Sequence, residues 1–314
     1  MSTTPAATLD AQVHGWSPGT IERVDQLDPG PAQSLHDLLG ADPAPRDRGP
    51  VNSLCHWVYF QFWPRRSSLG PDGHPHAGGF LPPLLDRRRM FAGGRCTFYA
   101  PLHFSKPATA NSWLAHRATK HGRSGELLLV TVGTTIAQNR RLCINEEQDF
   151  VYRSGPPRPP VARTGAVSAD RFAPPVGGAV SCRQRTTFDP LTLFRFSALT
   201  ANSHRIHYDE PYARDVEGHS GLLVHGPLLV LSMAEMMRGA CAGELATFAY
   251  RLHRPVFSGE SIDIVLAESD GAGQSSVRSA GGALAAMQAT ILDSAGALRA
   301  TAEAHFEPES ASRP

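Results

Sequence analysis

The stretch Val224-His225-Gly226-Pro227-Leu228-Leu229-Val230-Leu231-Ser232-Met233-Ala234-Glu235-Met236-Met237 decides how the second half of this chain folds. Proline directly after glycine suits the first turn of a helix, where its missing N–H costs no hydrogen bond. Leu228, Leu231, Ala234 and Met237 then recur at steps of three, an apolar stripe that predicts a helix buried along one face. Four segments rich in β-formers follow, at 246–256, 261–267, 283–292 and 298–306. A helix succeeded by antiparallel strands is the order of a sheet wrapped around one helix, so the fold class is α+β.

Upstream, Asp189-Pro190 predicts an N-cap followed by proline at the first helical position, opening a helix to about Thr200. A second short helix fits 209–215. Gly-Pro-Pro-Arg-Pro-Pro (155–160) and Ala-Pro-Pro-Val-Gly-Gly (173–178) cannot sustain a helix or a central strand, so 155–180 reads as a linker between domains at 10–154 and 181–308. In the first domain 95–104, 112–120, 127–137 and 142–152 alternate as strands, with breaks at Gly93-Gly94, Lys106-Pro107 and His121-Gly122. The place for a central helix holds Gly78-Gly79-Phe80-Leu81-Pro82-Pro83, which no helix of normal length tolerates. This half is expected to keep its sheet with the helix shortened or lost, leaving a trough for a long ligand.

With 314 residues and 41% hydrophobic side chains, the chain can bury a core in each of two domains. It has no run of 18 apolar residues, and its start lacks the basic and apolar regions of a signal peptide, so a soluble cytoplasmic protein without membrane contact is expected. Five widely spaced cysteines without a Cys-x-x-Cys pair argue against a disulfide framework or a zinc site. Thirty basic residues against 29 acidic ones, dispersed along the chain, leave no footprint for nucleic acid. Apart from Lys106 and Lys120 every basic residue is arginine, whose planar fork matches phosphate and carboxylate, although codon usage in a GC-rich genome gives the same skew.

The segment carrying chemistry is Phe196-Ser197-Ala198-Leu199-Thr200-Ala201-Asn202-Ser203-His204-Arg205-Ile206-His207-Tyr208-Asp209. It resembles the Gly-Asp-x-Asn-Pro-x-His motif of the MaoC-like (R)-specific enoyl-CoA hydratases. With the last histidine on His207, Asn202 stands where that family has its catalytic aspartate, His204 at its asparagine and Arg205 at its proline. The form Ala-Leu-Thr-x-Asn-x-His-Arg-Ile-His-Tyr-Asp is similar to one branch, the type 2 hydroxyacyl-thioester dehydratases with the bacterial mesaconyl-C4-CoA and itaconyl-CoA hydratases. Val224-His225-Gly226-Pro227-Leu228 resembles the start of the family's central helix, and Arg88-Arg89-Met90-Phe91-Ala92-Gly93-Gly94-Arg95 its N-terminal half. The resemblance covers residues from about 10 to 308 and implies a double hot dog fold and a hydro-lyase acting on a short dicarboxylic enoyl-CoA.

That reaction must activate water for attack on the β-carbon, deliver a proton to the α-carbon and stabilise the thioester oxyanion. Histidine exchanges protons at neutral pH, and His207 is assigned the base. Asn202 cannot be one, but its amide can hold the water between itself and His207. Handling of the remaining proton is left open among His207, Asp209, Glu210 and His204. The N–H of Gly226, at a helix start beside a proline that has no donor, is assigned to the oxyanion. The same pair would also serve as a plain helix start, and His207 as a structural histidine.

His204 reads as a scaffold residue bonded to backbone, and Tyr208 and Tyr212 as core or lining. His204, His225, Arg88, Arg89, Arg95 and Arg205 are the candidate substrate contacts: the 87–89 arginines for coenzyme A phosphates, Arg95 or Arg205 for an acyl carboxylate. His56, His74 and His76 have no carboxylate or cysteine at ligand spacing, so no metal is expected, nor any cofactor beyond the coenzyme A of the substrate. A homodimer is the expected assembly. The rival readings are a 3-hydroxyacyl thioester dehydratase of fatty acid synthesis, a non-catalytic acyl-CoA binder and a thioesterase.

Overall fold

The computed structural model describes residues 8–41, 50–52, 54–75, 80–84, 88–122, 125–153, 180–241, 243–268 and 285–308. In chain order the elements are α1 (Leu9–Gln12), β1 (Ile21–Asp25), α2 (Pro29–Leu39), β2 (Pro50–Val51), β3 (Arg88–Phe98), β4 (Leu102–His103), β5 (Ala108–Gly122), β6 (Gly125–Gln138) and β7 (Arg141–Arg153). They continue with β8 (Val180–Thr186), α3 (Pro190–Leu199), α4 (Gly226–Ala240), β9 (Glu244–Leu252), β10 (Ile262–Glu268), β11 (Ala285–Asp293) and β12 (Leu298–Glu307).

Ten strands make one sheet in the order β1-β5-β6-β7-β3-β9-β12-β11-β10-β8. Followed inward from its two edges, the sheet repeats itself. β1-β5-β6-β7-β3 is one antiparallel half and β8-β10-β11-β12-β9 the other, as expected of a double hot dog, with the halves joined where β3 pairs with β9. The repeat extends to the first helices. Asp28 caps α2 by accepting from the Gly30 N–H at 2.8 Å, and Asp189 caps α3 by accepting from the Thr192 N–H at 2.8 Å, each ahead of a proline.

The sheet curls around α4, which lies against β9 to β12 and β3. Burial exceeds the predicted stripe: Leu229, Val230 and Met233 are buried along with Leu228, Leu231 and Met237. The reason is that α4 is covered on a second side, where α2 and a turn at Cys55–Val58 from the first half close over it. α4 has no counterpart among the described residues of that half. Between α2 and β3 the described residues hold only one-turn helices at Cys55–Val58 and Arg66–Ser68, and Phe80 to Pro83 are not helical. The expected trough is therefore partly roofed, leaving a cavity of about 370 Å³ against the C-terminal half of α4.

Gly93-Gly94 corrects one expectation. The pair does not break a strand but lies inside β3, at a register shift after Phe91. There β3 is paired on both sides, and a Cβ on Gly93 would come within 2.8 Å of the Tyr250 carbonyl oxygen on β9. Close backbone approach, not a turn, requires glycine here. β3 correspondingly begins at Arg88 and ends at Phe98. The proposed linker, with Arg87, His76 and Gly78-Gly79, lies outside the described residues apart from Val180, which opens β8. No helix among the described residues is long and apolar enough to cross a membrane.

Candidate active site

α3 ends at Leu199, and the chain folds back at once. The Asn202 N–H donates to the Ser197 carbonyl at 2.9 Å, and the Asn202 side-chain oxygen accepts from the His204 N–H at 3.1 Å. That second bond sets the bend that delivers Arg205–His207 as a single helical turn. It also commits the amide oxygen of Asn202, so the group it can present to a water is its NH₂.

His207 is held from two sides. Its Nδ1–H donates to the Leu223 carbonyl at 2.9 Å, which fixes the tautomer because a carbonyl can only accept. The Leu223 N–H in turn donates to the Ile206 carbonyl at 3.0 Å. Nε2 therefore carries the lone pair, and it makes no hydrogen bond among the described residues. Burial lowers the pKa of His207 to about 4 against the supporting bond from Leu223, and the charges of His74, His219 and Arg89 act in the same direction as burial. The ring is a neutral base at physiological pH.

Leu223 is also what joins His207 to the helix. Two residues on, His225 stands at the N-cap position of α4, and its ring stacks on His207 at 3.6 Å between centroids with 18° between planes. The free N–H end of α4, beginning at Gly226, thus sits one residue from the stacked pair. His225 itself is enclosed at 1% exposure, its Nε2 bonded to the Ser197 hydroxyl at 2.9 Å. It props the base rather than offering a surface to substrate.

A loop from the first half completes the site. The Arg205 N–H donates to the Asp72 carbonyl at 2.9 Å, the Ser203 hydroxyl donates to the Gly73 carbonyl, and the Arg205 Nη1 donates to the Pro71 carbonyl at 3.0 Å. Gly73 has φ +87°, and a Cβ there would run into the Ser203 carbonyl oxygen. This lock lays the His74 ring against His204 at 4.2 Å, and His204 meets His207 edge-on at 5.7 Å. His204 thus packs between two imidazoles instead of bonding to backbone, and burial, then the neighbouring His74 charge, lowers its pKa to about 2. Burial would raise the Asp72 carboxyl, but His74, with Nδ1 3.4 Å from it, holds it down at about 2.

The expectation of no carboxylate near the histidines is corrected on both counts. Ligand atoms of Asp72, His74 and His204 lie within 4.8 Å of one another, as do those of His56, Cys96 and Glu146. The latter three are buried, and Glu146 is saturated otherwise: it takes Trp57 Nε1–H at 2.6 Å and Gln148 Nε2–H at 3.0 Å, with His56 Nε2 at 3.3 Å.

The arginines divide sharply. Arg88 pairs with Glu217 at 3.4 Å, and Arg95 with Glu147 and with Asp149 at 3.5 Å. Arg205 grips Asp209 through Nε and Nη2 and lies 4.0 Å over the Tyr212 ring. Arg89 lies 5.0 Å over Phe150, has no carboxylate partner among the described residues, and is near enough for its charge to lower His204 and His207 beyond what burial does. Asp209 is held by Arg205 and by the Tyr212 N–H, and Glu210 pairs with Arg214. Tyr212 is core; Tyr208 is 47% exposed, contrary to expectation, and donates to the Ser203 carbonyl. Sequence reasoning missed Asp72, Ser197, Trp57 and Glu146.

The family model for hydroxyacyl-thioester dehydratase type 2 matches residues 54–258, a span that holds Trp57, the 71–74 loop, Arg89, His207 and Gly226. This chain belongs to that family. The type 2 dehydratase fold is shared widely: a MaoC-like dehydratase superposes with a TM-score of 0.68 at 12% identity, covering 96% of this chain and all of that one. A Mycobacterium tuberculosis protein described as having a double hotdog fold superposes at 0.53 with 15% identity, over 92% and 95% of the two chains. Among curated sequences, the mesaconyl-C(4)-CoA hydratase of Chloroflexus aurantiacus is 43% identical over 256 residues, 77% of this chain and 88% of that protein. This type 2 dehydratase homologue is accordingly a hydro-lyase.

Proposed function

We propose that the protein reversibly adds water to the double bond of a short dicarboxylic enoyl-CoA, mesaconyl-C4-CoA or itaconyl-CoA. The coarser statement, a hydratase acting on CoA esters, follows from the family and the hydratase relative. The observation supporting the finer one is Arg89, the candidate arginine without an acidic partner among the described residues, placed within electrostatic reach of His207. A free guanidinium beside a reacting centre suits a second carboxylate on the acyl group.

In this reading a water held by the Asn202 NH₂ loses a proton to His207 Nε2 as its oxygen bonds to the β-carbon. The π electrons move to the thioester, whose oxygen becomes negative and is met by the Gly226 N–H at the start of α4. Collapse of the enolate takes the proton from His207 Nε2 onto the α-carbon, so one water is consumed: one of its protons stays on the new hydroxyl, the other ends on the α-carbon, and His207 is neutral again. No cofactor is required beyond the coenzyme A of the substrate, and the working unit is a monomer's two half-sheets, paired further as a homodimer.

The test is direct. Purified protein is given mesaconyl-C4-CoA, itaconyl-CoA, crotonyl-CoA and a 3-hydroxyacyl-CoA series, and the enoyl thioester absorbance is followed. Turnover of the dicarboxylic substrates with much higher kcat/KM than crotonyl-CoA supports the assignment. Preference for long monocarboxylic chains would instead favour dehydration in fatty acid synthesis, and tight binding without turnover a non-catalytic binder.

A further inference from the structure

One indole links the aromatic side chains behind Gly226 to His56, which lines the cavity. On the catalytic side Gly226 backs onto Phe91, since a Cβ there would lie 3.0 Å from Phe91 Cδ1. The Phe91 ring meets Trp57 edge-on at 6.2 Å and Tyr250 at 5.6 Å, and Trp57 meets Tyr250 at 5.7 Å. Beyond Trp57 the wall ends: its chain neighbour His56 already lines the cavity of about 370 Å³, together with Leu231, Ala234, Glu235, Met237 and Arg238 of α4. Trp57 cannot swing freely, because Glu146 takes its Nε1–H at 2.6 Å and is itself buried and braced by His56 and Gln148.

We propose that Trp57, pinned by Glu146, sets acyl length: it ends the acyl pocket after a few carbons and closes it off from the space beside α4 that would otherwise take a longer chain. The proposal rests on the hydration reading above and deepens it. A duplicated fold that has lost one central helix has room for a long acyl group, and here that room exists. It is separated from the reacting carbons by the Phe91–Trp57–Tyr250 aromatic wall, whose only polar anchors toward Glu146 among the described residues of the wall are on Trp57. Phe91 cannot be the stop alone, because it packs on Gly226 and belongs to the reacting centre. Tyr250 sits on the central strand, with its hydroxyl buried and without a partner among the described residues, and removing it would disturb the junction of β3 and β9. Trp57 is carried on a one-turn helix outside the sheet and can be exchanged without breaking the ladder.

The experiment is a chain-length series of trans-2-enoyl-CoA substrates, from butenoyl to decenoyl, on four proteins. Wild type is expected to lose activity steeply beyond short chains. Trp57→Ala is expected to raise the decenoyl-to-butenoyl ratio of kcat/KM by about a hundredfold, since each methylene accepted by an apolar pocket changes discrimination by roughly 10-fold or more. Trp57→Phe keeps a ring but loses the Glu146 bond that pins it, and should raise the ratio by clearly less than Trp57→Ala does. Adding Ala234→Phe to Trp57→Ala refills the cavity from α4 and should remove the gain. An unchanged ratio in a folded Trp57→Ala protein, or a gain that survives Ala234→Phe, overturns the proposal; if Trp57→Ala does not fold, Trp57→Leu is read in its place. Should wild type hydrate no enoyl-CoA, the functional reading fails separately, and calorimetric binding of decanoyl-CoA against butyryl-CoA to the same four proteins still decides the role of Trp57.

Discussion

The two halves of the sheet have the same strand order and the same capped first helix, yet they do different work. The half built on β8 to β12 keeps its long helix and places His207, His225 and Gly226 at that helix's start. The half built on β1 to β7 has none among its described residues; from the chain between α2 and β3 it sends Pro71 to His74 and Trp57 toward the same place, and β3 adds Arg89. A helix N-terminus is what stabilises an oxyanion, so the copy that keeps the helix keeps the chemistry. The copy without one has backbone to spare for recognising substrate.

Substitutions on the two sides should therefore fail in different ways. The largest effect is expected at His207→Ala, with kcat lower by about 10³-fold, in the middle of the range for a general base, and KM little changed. A variant with normal turnover would break the assignment of chemistry to the helix-bearing half. Arg89→Leu should cost about a hundredfold in kcat/KM for the dicarboxylic substrates, as loss of a charge-assisted bond does, while leaving crotonyl-CoA within a few fold. Arg88→Leu, whose cation is already paired with Glu217, is the matched control and should change neither.

Gly73→Ala tests the crossing loop. Its positive φ and the Ser203 carbonyl leave no place for a methyl group, so the loop must shift and take His74 away from His204. A loss of about tenfold in kcat with a modest fall in melting temperature is expected. The smallest effect concerns pH. His204 and His207 have folded pKa values of about 2 and 4, below the ordinary 6.5, so the unfolded chain binds protons that the folded one refuses. Stability should then fall as pH drops from 6.5 toward 4, by a few degrees in melting temperature, while kcat/KM keeps its value to about pH 5. An activity limb centred near 6.5 would place the base elsewhere.

Much of the second half was legible because its signals are local. Asp189-Pro190 and Gly226-Pro227 open helices where expected, and the strands after α4 fall within a few residues of the predicted segments. In the first half the same Asp-Pro signal stands at Asp28-Pro29, but Gly30-Pro31 follow it and resemble a turn, so α2 went unseen. The two glycines of β3 looked like a break because a close strand-to-strand approach is a property of the partner, which no local pattern contains. Site residues divided the same way. His207 and Asn202 share a short loop, whereas Glu146 lies 90 positions from His56, and Ser197 lies 28 from His225. Nor could the sequence separate the arginines, since it does not show which of them already hold a carboxylate.

The seam between Pro71 to His74 and Ser203 to Arg205 has a consequence for how such a protein can change. Because the turn that carries the base in one half-sheet is bonded to a loop from the other, neither half would present the same site if expressed apart. Duplication has become division of labour, and a backbone contact that leaves no room for a single methyl group makes it hard to reverse.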